Sequence, residues 1–356
     1  MSENTITFKE LVYHYKQPLT LEESSINLDD LSENEIVVKI ASAAINPVDL
    51  VLFNTHPYVF FSRSKKLFGR DFSGVIVAKG SSVTKFEVQD KISGILDAEI
   101  YQTKAGSYSE YVKIDVTKYQ NIGKKPNNLT MNEAASFNLV LGTAWTLFTH
   151  HHKPTENTRA LVIGGATSVG NYAIQLLRQY YNVKSIISVN STKSADYCKE
   201  AGADFIVDYT KGDSPGQVAK IIEEEFQGEK LDIIVDCVGG NEFFSTIDQC
   251  LKPKTENSGY VTIAGDEVYD YSKPLNPFKM GGVFKRFIFP KCFNYAFSAI
   301  DHGTWYDVLA KYFEEGKLKV NINKVVTGLE NFQETIDIII DHKSQGKVVL
   351  EIDSEL

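Results

Sequence analysis

A glycine-bearing turn at residues 164–170 carries the clearest chemical signal in this sequence. Residues 160–163 are apolar and include β-branched side chains, which is typical of a buried parallel strand. Residues 171–177 continue with apolar side chains at helical spacing. A helix that begins at such a turn presents unpaired backbone N–H groups and the positive end of its dipole, both suited to a pyrophosphate. The pattern predicts nucleotide binding, with an ordinary strand-to-helix turn as the alternative.

The turn departs from the G-x-G-x-x-G pattern of dinucleotide-binding sites. Thr167 and Ser168 stand where the middle glycine is expected. Their small hydroxyl side chains still admit a phosphate and can hydrogen-bond it, so the predicted site is weakened rather than lost. Gly164 is expected to make the tight turn, and Gly170 to let the helix pack closely on the strand. The predicted phosphate-binding residues are Gly164, Thr167, Ser168, Val169 and Gly170.

The strand after this helix ends without a carboxylate. In NAD-preferring folds of this kind, an acidic residue at that position binds the ribose hydroxyls. Here Asn190 is followed by Ser191, Thr192 and Lys193, so a 2′-phosphate would meet an amide, hydroxyls and one cation. The sequence therefore favours NADPH over NADH, with Asn190 and Lys193 as ligands. The alternative for Lys193 is an ordinary solvated lysine.

Composition places the chain among ordinary globular proteins and excludes several classes. The chain has 356 residues, enough for two domains, with 43% hydrophobic and 23% charged residues. A formal net charge of −9 argues against a general nucleic-acid-binding protein. The four cysteines lack disulfide-like or metal-like spacing, which favours a reducing compartment. Without a signal-peptide pattern or an apolar run of about 20 residues, we expect a cytoplasmic protein with no membrane span.

The elements that must position these residues change character along the chain. Residues 5–130 are rich in strand patterns and predict a barrel-like lobe. From 160 to 300 strands and helices alternate, which predicts a doubly wound parallel sheet. The predicted class is α/β, with one domain at 1–130, a nucleotide-binding domain at 131–300, and residues 301–356 returning to the first lobe. The strand patterns of the first lobe lie at 35–45, 74–78, 85–94 and 106–112.

Short motifs in a fixed order carry a resemblance to a known family. They are Ala44-Ile-Asn-Pro-Val-Asp49, Gly69-Arg-Asp-Phe-Ser-Gly74, Gly106-Ser-Tyr-Ser-Glu-Tyr111, Gly142-Thr-Ala-Trp145, the turn at 164–170, Ala201-Gly-Ala-Asp204, Asp232-Ile-Ile-Val-Asp-Cys-Val-Gly-Gly240 and Gln345-Gly-Lys-Val-Val-Leu350. Together they resemble the medium-chain dehydrogenase/reductase superfamily, in its zinc-free quinone-oxidoreductase (ζ-crystallin-like) branch. The resemblance spans nearly the whole chain. It implies a GroES-like catalytic lobe built from both chain ends, a central Rossmann domain that binds NADP(H), and an active site in the cleft between them.

The resemblance also bears on metal binding. Zinc relatives carry Gly-His-Glu where this chain has Gly69-Arg70-Asp71, and they carry a four-cysteine cluster where this chain has no cysteine before Cys198. Zinc needs soft or imidazole ligands, and the guanidinium of Arg70 stays protonated. We therefore expect no metal, and an ion pair between Arg70 and Asp71. The three histidines at 150–152 are predicted to form a solvated helix end, because consecutive helical residues point in different directions.

Further site residues follow from the resemblance. Asn46 is implied to be a catalytic residue beside the nicotinamide, aimed by Pro47. Tyr58 lies close to where enoyl-reductase relatives keep a tyrosine donor, with His56 as a rival donor and a packed aromatic side chain as the alternative. The further implied cofactor contacts are Tyr209 beside the 2′-phosphate, Thr143, Val238 and Gly265 on the nicotinamide side, and Lys347. The alternatives are a plain helix residue for Thr143, a surface aromatic for Tyr209 and a strand-edge lysine for Lys347.

Without a metal, a reductase must stabilise the charge that develops on a substrate oxygen through hydrogen-bond donors. The resemblance implies NADPH-dependent hydride transfer to a small hydrophobic quinone, an enone or a similar activated carbonyl compound, by a homodimer. One alternative is a catalytically weak NADP(H)-binding protein on a lipid droplet or membrane surface, since fungal members of a similar sub-branch associate with lipid droplets or mitochondria. Another alternative is an enoyl-thioester reductase in which Tyr58 is essential.

The segment 274–297 does not fit the enzyme pattern. It contains six phenylalanines among four basic side chains. A long exposed loop with this apolar content is unusual. We expect it to be a lid over a hydrophobic substrate, a dimer contact or a peripheral membrane anchor.

Overall fold

The structure is a computed structural model, and it divides into two compact units. The first unit comprises Met1–Leu139, Asp270–Leu275 and His302–Leu356, and the second comprises Val140–Tyr269 and Asn276–Asp301. The predicted domain boundaries at 130 and 300 stay a prediction. The structure describes residues 4–59, 65–96, 105–149, 152–266, 270–274, 293–300, 305–341 and 344–356, with the backbone alone described for residues 56–59.

Strands and helices are numbered in chain order. The strands are β1 Thr5–Tyr13, β2 Thr20–Asn27, β3 Glu35–Ala44, β4 Lys66–Leu67, β5 Asp71–Lys79, β6 Lys91–Ile95, β7 Tyr111–Asp115, β8 Ile122–Lys124, β9 Arg159–Ile163, β10 Ser185–Asn190, β11 Phe205–Asp208, β12 Ile233–Asp236, β13 Gly259–Thr262, β14 Asn294–Phe297, β15 Ile322–Thr327 and β16 Lys347–Glu351. The helices are α1 Pro47–Val59, α2 Met131–Ser136, α3 Asn138–Thr149, α4 Ser168–Gln179, α5 Ala195–Ala201, α6 Ser214–Phe226, α7 Ile247–Cys250, α8 Tyr306–Glu314 and α9 Phe332–Ile340.

The first unit is built mainly from antiparallel strands. Its larger sheet has the strand order β15-β16-β3-β5-β6-β8, with β7 also paired to β3, and a smaller sheet has the order β2-β1-β4. Strand β16, near the carboxyl end of the chain, pairs with β3 from the amino-terminal part. Apolar side chains that alternate along β3, including Ile36, Val38 and Ile40, are fully buried in one core cluster. Distant parts of the sequence therefore share one sheet.

The second unit is a parallel sheet in the order β11-β10-β9-β12-β13-β14. Every neighbouring pair in this sheet is parallel. In order of appearance this is 3-2-1-4-5-6, the strand order of the doubly wound dinucleotide-binding fold. Its core packs buried side chains from the strands, such as Leu161, Val189 and Ile234, against Val218 and Ile222 of α6. The predicted α/β class, with a mainly antiparallel lobe and a doubly wound parallel sheet, is confirmed.

The predicted strand at 85–94 is wrong for its first half. Strand β6 begins only at Lys91. Before it, the carboxylate of Asp90 accepts a hydrogen bond from the amide of Glu87 at 2.8 Å. Gln89 has a left-handed backbone with φ of 74°. These two features form a turn, which an alternating pattern of apolar and polar residues does not reveal.

The aromatic and basic segment 274–297 falls largely outside the described residues. Only Pro274 and residues 293–297 are described, so the predicted lid, dimer contact or membrane anchor lies outside the described residues. Within the described part of the chain, no helix has both the length and the apolar character needed to cross a membrane.

Candidate functional site

The glycine turn lies where β9 gives way to α4. Gly164 has a φ of 80°, a conformation that glycine adopts without strain. Thr167 caps the helix: its hydroxyl accepts a hydrogen bond from the amide of Gly170 at 3.0 Å and donates one to the carbonyl of Gly164 at 2.8 Å. The Thr167 hydroxyl therefore holds the turn together, and its hydrogen is already used within the turn.

Close packing makes two further glycines of the turn necessary. A Cβ atom added to Gly165 would lie 2.1 Å from the Oγ of Ser188 on β10. A Cβ atom added to Gly170 would lie 2.2 Å from the carbonyl oxygen of Gly164, which is a backbone atom. Both glycines therefore let the turn and the start of α4 pack closely on the sheet, which is the role of the packing glycine in a dinucleotide-binding turn.

The first turn of α4 offers donors to an anion. The amides of Ser168 and Val169, the first two residues of α4, donate to no acceptor among the described residues, and both residues are half-buried. Unpaired amides at a helix N-terminus favour a negative charge. Strands β9 and β12 are neighbours at the point where the strand order reverses, and α/β folds bind ligands at the carboxyl ends of such strands.

The residues predicted to select the 2′-phosphate have different environments. Asn190 is buried, and its amide is engaged: its Oδ1 accepts from Ser188 at 2.7 Å and its Nδ2 donates to the carbonyl of Ser191 at 2.8 Å. Lys193 is exposed, in a single helical turn after β10. Tyr209 is 57% exposed, in a similar turn after β11, which is unusual for a large aromatic side chain. Lys193 and Tyr209 are therefore accessible to a ligand.

Asp208 joins the two turns that carry these side chains. It lies opposite Asn190 in the parallel register of β10 and β11. One carboxylate oxygen accepts a hydrogen bond from the hydroxyl of Thr192, and the other accepts from the amide of Thr210 at 2.9 Å and from its hydroxyl at 2.7 Å. The hydroxyls of Thr192 and Thr210 lower the pKa of Asp208 to about 2. Asp208 is not among the site residues predicted from the sequence, although Asp208-Tyr209-Thr210 at a strand end has the spacing of a turn in which an aspartate accepts from the backbone two residues on.

The loops after β12 and β13 contain Val238 and Gly265. The carboxylate of Asp236 accepts hydrogen bonds from the amides of Val238 at 3.1 Å and Gly239 at 2.8 Å. The hydroxyl of Thr262 accepts from the amide of Gly265 at 2.9 Å and donates to Asp236 at 3.1 Å. Burial raises the pKa of Asp236, and the hydrogen bonds from these amides act against that effect. Asp236 and Thr262 are likewise not among the site residues predicted from the sequence.

In the first unit, Asn46 and Lys347 belong to one buried polar cluster. The ammonium group of Lys347 donates to the Oδ1 of Asn46 at 2.6 Å, to the carbonyl of Ile45 at 3.0 Å and to Asp71 at 3.2 Å. The amide of Asn46 donates to Asp71 at 3.0 Å and to the carbonyl of Ala44 at 3.4 Å. Lys347 is buried on β16, between β15 and β3, so the strand-edge alternative is wrong. All donors of Lys347 and Asn46 are thus engaged within this cluster.

Arg70 and Asp71 do not pair with each other as expected. Asp71 pairs with Lys347, whereas the Nε of Arg70 lies 4.0 Å from the Oδ1 of Asp49. Adjacent residues entering a strand point to opposite faces, so their side chains reach different partners. Asp49 also accepts from the amide of Asn46 at 2.8 Å, at the start of α1. The expected Arg70–Asp71 ion pair is therefore replaced by two separate pairs.

Burial dominates the titration of both carboxylates. Burial raises the pKa of Asp49 to about 6, although Arg70 and the amide of Asn46 favour its charged form. Burial also raises the pKa of Asp71, against the effects of Lys347, Asn46 and the amide of Leu139. The cluster therefore contains a carboxyl group that titrates close to neutral pH.

The polar cluster does not fit a zinc ion. Arg70 cannot be a ligand, and the ammonium group of Lys347 lies beside the carboxylate of Asp71. No group of three potential metal ligands occurs among the described residues. His152 is buried rather than solvated. Its Nδ1 lies 2.8 Å from the carbonyl oxygen of Asn257. The prediction of a solvated turn is therefore wrong for His152, and residues 150–151 lie outside the described part.

The structure gives less information about two predicted site residues, Tyr58 and Thr143. The backbones of His56 and Tyr58 belong to the last turns of α1, and their side chains lie outside the described part. Thr143 is buried in α3. The roles of Tyr58 and Thr143 stay predictions.

A cavity of about 610 Å³ lies at the opposite, amino-terminal ends of the second unit's strands. Its lining includes Arg159, Lys252 and Asp232. Arg159 pairs with Glu229 at 3.3 Å, and Lys252 pairs with Asp232 at 2.8 Å. These charges are already paired, and the cavity is remote from the carboxyl ends of the strands, where ligands bind in this fold.

Comparison with known proteins shows which proteins this chain is similar to. Residues 32–126 match the alcohol dehydrogenase GroES-like domain, and residues 201–350 match the zinc-binding dehydrogenase model. Protein YIM1 of Vanderwaltozyma polyspora is 32% identical over 99% of both chains. Protein YIM1 of Saccharomyces cerevisiae is 29% identical over 99% of this chain and all of its own.

A solved structure shares the fold. The quinone oxidoreductase from Coxiella burnetii has a TM-score of 0.75, with 20% identity, over 98% of this chain and all of its own. The likeness in sequence and the shared fold lead to one assignment. The chain belongs to the medium-chain dehydrogenase/reductase superfamily of oxidoreductases, and the fungal YIM1 proteins are among its relatives.

Proposed function

We propose that this chain is an NADPH-dependent, zinc-independent reductase that transfers hydride to a quinone, an enone or a similar activated carbonyl compound. The observation that carries the proposal is the glycine turn before α4, where the amides of Ser168 and Val169 are open at the switch point of the sheet. The oxidoreductase family and the fold shared with a quinone oxidoreductase support the reaction class.

The second unit would hold the cofactor, which supplies the hydride when bound. The amides of Ser168 and Val169 bind the pyrophosphate, and Gly165 and Gly170 allow the close packing that holds these amides in place. Lys193 provides a cation for the 2′-phosphate, and Tyr209 provides an exposed ring beside it. The carboxylate of Asp208 does not compete for ribose hydroxyls, because its oxygens already accept hydrogen bonds from threonines.

The first unit would provide the surroundings of the substrate. A quinone or enone that accepts hydride develops negative charge on its oxygen, which a hydrogen-bond donor must stabilise. Tyr58 is the proposed donor. Asn46 is a positioning residue in this proposal, because its side-chain amide already holds Asp71 and its oxygen holds Lys347.

The chemistry of the same cluster supports the zinc-independent part of the proposal. Arg70 and Lys347 place two protonated side chains among the carboxylates of Asp49 and Asp71. Cations of the chain therefore already occupy the places that a metal would need beside those carboxylates.

The experiment is a fluorescence titration with NADPH and, in parallel, NADH. Lys193→Ala is expected to raise the Kd for NADPH by at least about tenfold, since one charge-assisted contact is lost, and to change the Kd for NADH little. Lys199→Ala is the matched control, because Lys199 is also exposed, in α5 of the same unit.

The outcomes separate the parts of the proposal. Equal losses of NADPH and NADH affinity in Lys193→Ala would remove Lys193 from the 2′-phosphate. If the unmodified protein binds neither nucleotide, the cofactor proposal fails, and residues 164–170 are only a turn.

A further inference from the structure

One buried carboxylate connects the loop after β12 with the end of β13 at the carboxyl edge of the second unit's sheet. Asp236 is the last residue of β12, and its side chain is buried. It lies opposite Thr262, the last residue of β13, in the parallel register of the two strands. Side chains opposite each other in such a pair project to the same face. Their polar atoms can therefore meet at the sheet edge.

All the acceptor positions of Asp236 are used. One oxygen accepts hydrogen bonds from the amides of Val238 and Gly239, at 3.1 and 2.8 Å. The other oxygen accepts from the hydroxyl of Tyr260 at 3.0 Å and from that of Thr262 at 3.1 Å. A carboxylate offers about four lone-pair positions, so these four donors satisfy it. Such a fully satisfied group fixes its neighbours in one arrangement.

Thr262 passes this order to the next loop. Its hydroxyl gives its hydrogen to Asp236, and its lone pairs accept the amides of Ala264 at 3.1 Å and Gly265 at 2.9 Å. The carbonyl of Gly265 then accepts a hydrogen bond from the amide of Gly240 at 3.2 Å. The loops after β12 and β13 are thereby held to each other.

These loops have conformations that need such support. Gly239, Gly240 and Gly265 all have positive φ values, of 86°, 117° and 78°. Glycine reaches this region easily, but it also loses the most conformational freedom on ordering. Val238 reaches the phosphate turn as well, because a Cβ atom on Gly164 would lie 2.5 Å from its Cγ1.

We propose that Asp236 and Thr262 are positioning residues for the nicotinamide half of the cofactor, which hold the loops of Val238 and Gly265 against the phosphate turn. This inference rests on the proposed function. Asp236 and Thr262 do not themselves touch the cofactor in this account. They set the positions of backbone atoms that would contact it, so their loss should affect one half of the cofactor and spare the other.

The test compares a whole cofactor with its adenosine half. NADPH and adenosine 2′,5′-bisphosphate are titrated against the full chain and against Thr262→Val, which keeps the side-chain volume and removes the hydroxyl. Thr262→Val is expected to raise the Kd for NADPH about tenfold and to leave the Kd for the bisphosphate within about twofold. Thr262→Ser keeps the hydroxyl and should restore the NADPH affinity.

Thr246→Val is the matched control, because the hydroxyl of Thr246 is buried and has no hydrogen-bond partner among the described residues. A second readout needs no ligand. Hydrogen exchange in the free protein should become faster in Thr262→Val at the amides of Ala264 and Gly265, and it should stay unchanged there in Thr246→Val. Asp236→Asn should extend the faster exchange to Val238 and Gly239. If that variant does not fold, the Thr262 series still decides.

Each outcome has one meaning. Equal weakening of both ligands would show a merely structural role and overturn the inference, as would unchanged NADPH affinity in Thr262→Val. If the unmodified chain binds the bisphosphate and NADPH normally, failure of the Thr262 series affects only this inference. If it binds neither, the proposed function itself fails.

Discussion

The ammonium nitrogen of Lys347 lies 2.6 Å from the side-chain oxygen of Asn46, although 301 positions separate the two residues in the chain. The contact exists because β16 pairs with β3, and Asn46 follows the end of β3 by two residues. It places a lysine from the carboxyl-terminal part of the chain inside the polar cluster of the amino-terminal part. Three acceptors surround the ammonium group, so its burial is compensated.

Removal of this lysine should destabilise the first unit strongly. Lys347→Met leaves Asp71 buried without its cation, and the loss of one partner of a buried pair costs about 3–5 kcal/mol. Urea unfolding of the variant measures this loss. Lys324→Met, an exposed lysine on the neighbouring strand β15, should change the stability by less than about 1 kcal/mol. A loss in Lys347→Met no greater than that of Lys324→Met would contradict the described cluster.

Asp49 predicts a pH dependence of stability with a definite sign. Burial raises its pKa in the folded state to about 6, above the 3.8 of an ordinary aspartate. The folded state therefore binds more protons than the unfolded state between these values, and stability falls as the pH rises through them. From about pH 5 to about pH 7 this single group should remove about 1 kcal/mol of unfolding free energy.

Asp49→Asn isolates that contribution. The variant lacks the titrating group, so its unfolding free energy should rise by about 1 kcal/mol relative to that of the unmodified protein over the same pH interval. Urea unfolding of both proteins at the two pH values gives the difference. A difference that does not depend on pH would show that Asp49 titrates at its ordinary value.

The glycine turn predicts an order among alanine substitutions. Gly170→Ala places a Cβ atom 2.2 Å from a backbone oxygen, which cannot move aside easily. Gly165→Ala meets the side chain of Ser188 instead, so adding Ser188→Ala should recover part of its loss. Gly259→Ala is the control, since the nearest atom lies 3.9 Å from the added carbon.

Thermal unfolding and NADPH titration measure both consequences. We expect the largest loss of stability in Gly170→Ala, a smaller loss in Gly165→Ala and the smallest change in Gly259→Ala. The change in Gly259→Ala should lie within about 1 kcal/mol of zero, because a glycine inside a strand is itself unfavourable. The loss of NADPH affinity should follow the same order, with the largest loss in Gly170→Ala. Full NADPH affinity in Gly170→Ala would argue against this turn as the pyrophosphate site.

Tyr58 should act in the chemical step rather than in cofactor binding. Tyr58→Phe removes one hydroxyl and is expected to lower kcat by about tenfold to a thousandfold, with little change in NADPH affinity. Steady-state kinetics with a quinone and a parallel NADPH titration separate the two effects. An unchanged kcat in Tyr58→Phe, together with a lowered kcat in His56→Gln, would transfer the donor role to His56.

Local signals in the sequence predicted much of the second unit. The apolar run, the glycines and the helical spacing at 160–177 predicted a strand, a turn and a helix, and β9 and α4 have those places. Thr167 was expected to bind phosphate, but a threonine directly before a helix also caps it, and the structure shows this second use of its hydroxyl. Local chemistry predicts the element, while competition for a hydroxyl is decided by its surroundings.

Contacts between distant residues could not be predicted in this way. The sequence does not show that Lys347 reaches Asn46, because the register of β16 against β3 depends on how the whole sheet assembles. For the same reason the sequence predicts an ion pair of Arg70 with its neighbour Asp71, whereas the structure pairs Arg70 with Asp49. The Asp236–Thr262 contact also depends on register, although an aspartate at a strand end followed by two glycines was a usable signal.

The measurement that tests the central claim most directly is NADPH oxidation by protein that has been dialysed against a strong chelator, with ortho- and para-quinones and an enone as acceptors. The zinc content of the same sample is measured by mass spectrometry. The account predicts turnover by zinc-free protein, at a rate that added zinc does not raise. Tight NADPH binding without turnover on any of these acceptors, or turnover that returns only with zinc, would contradict it.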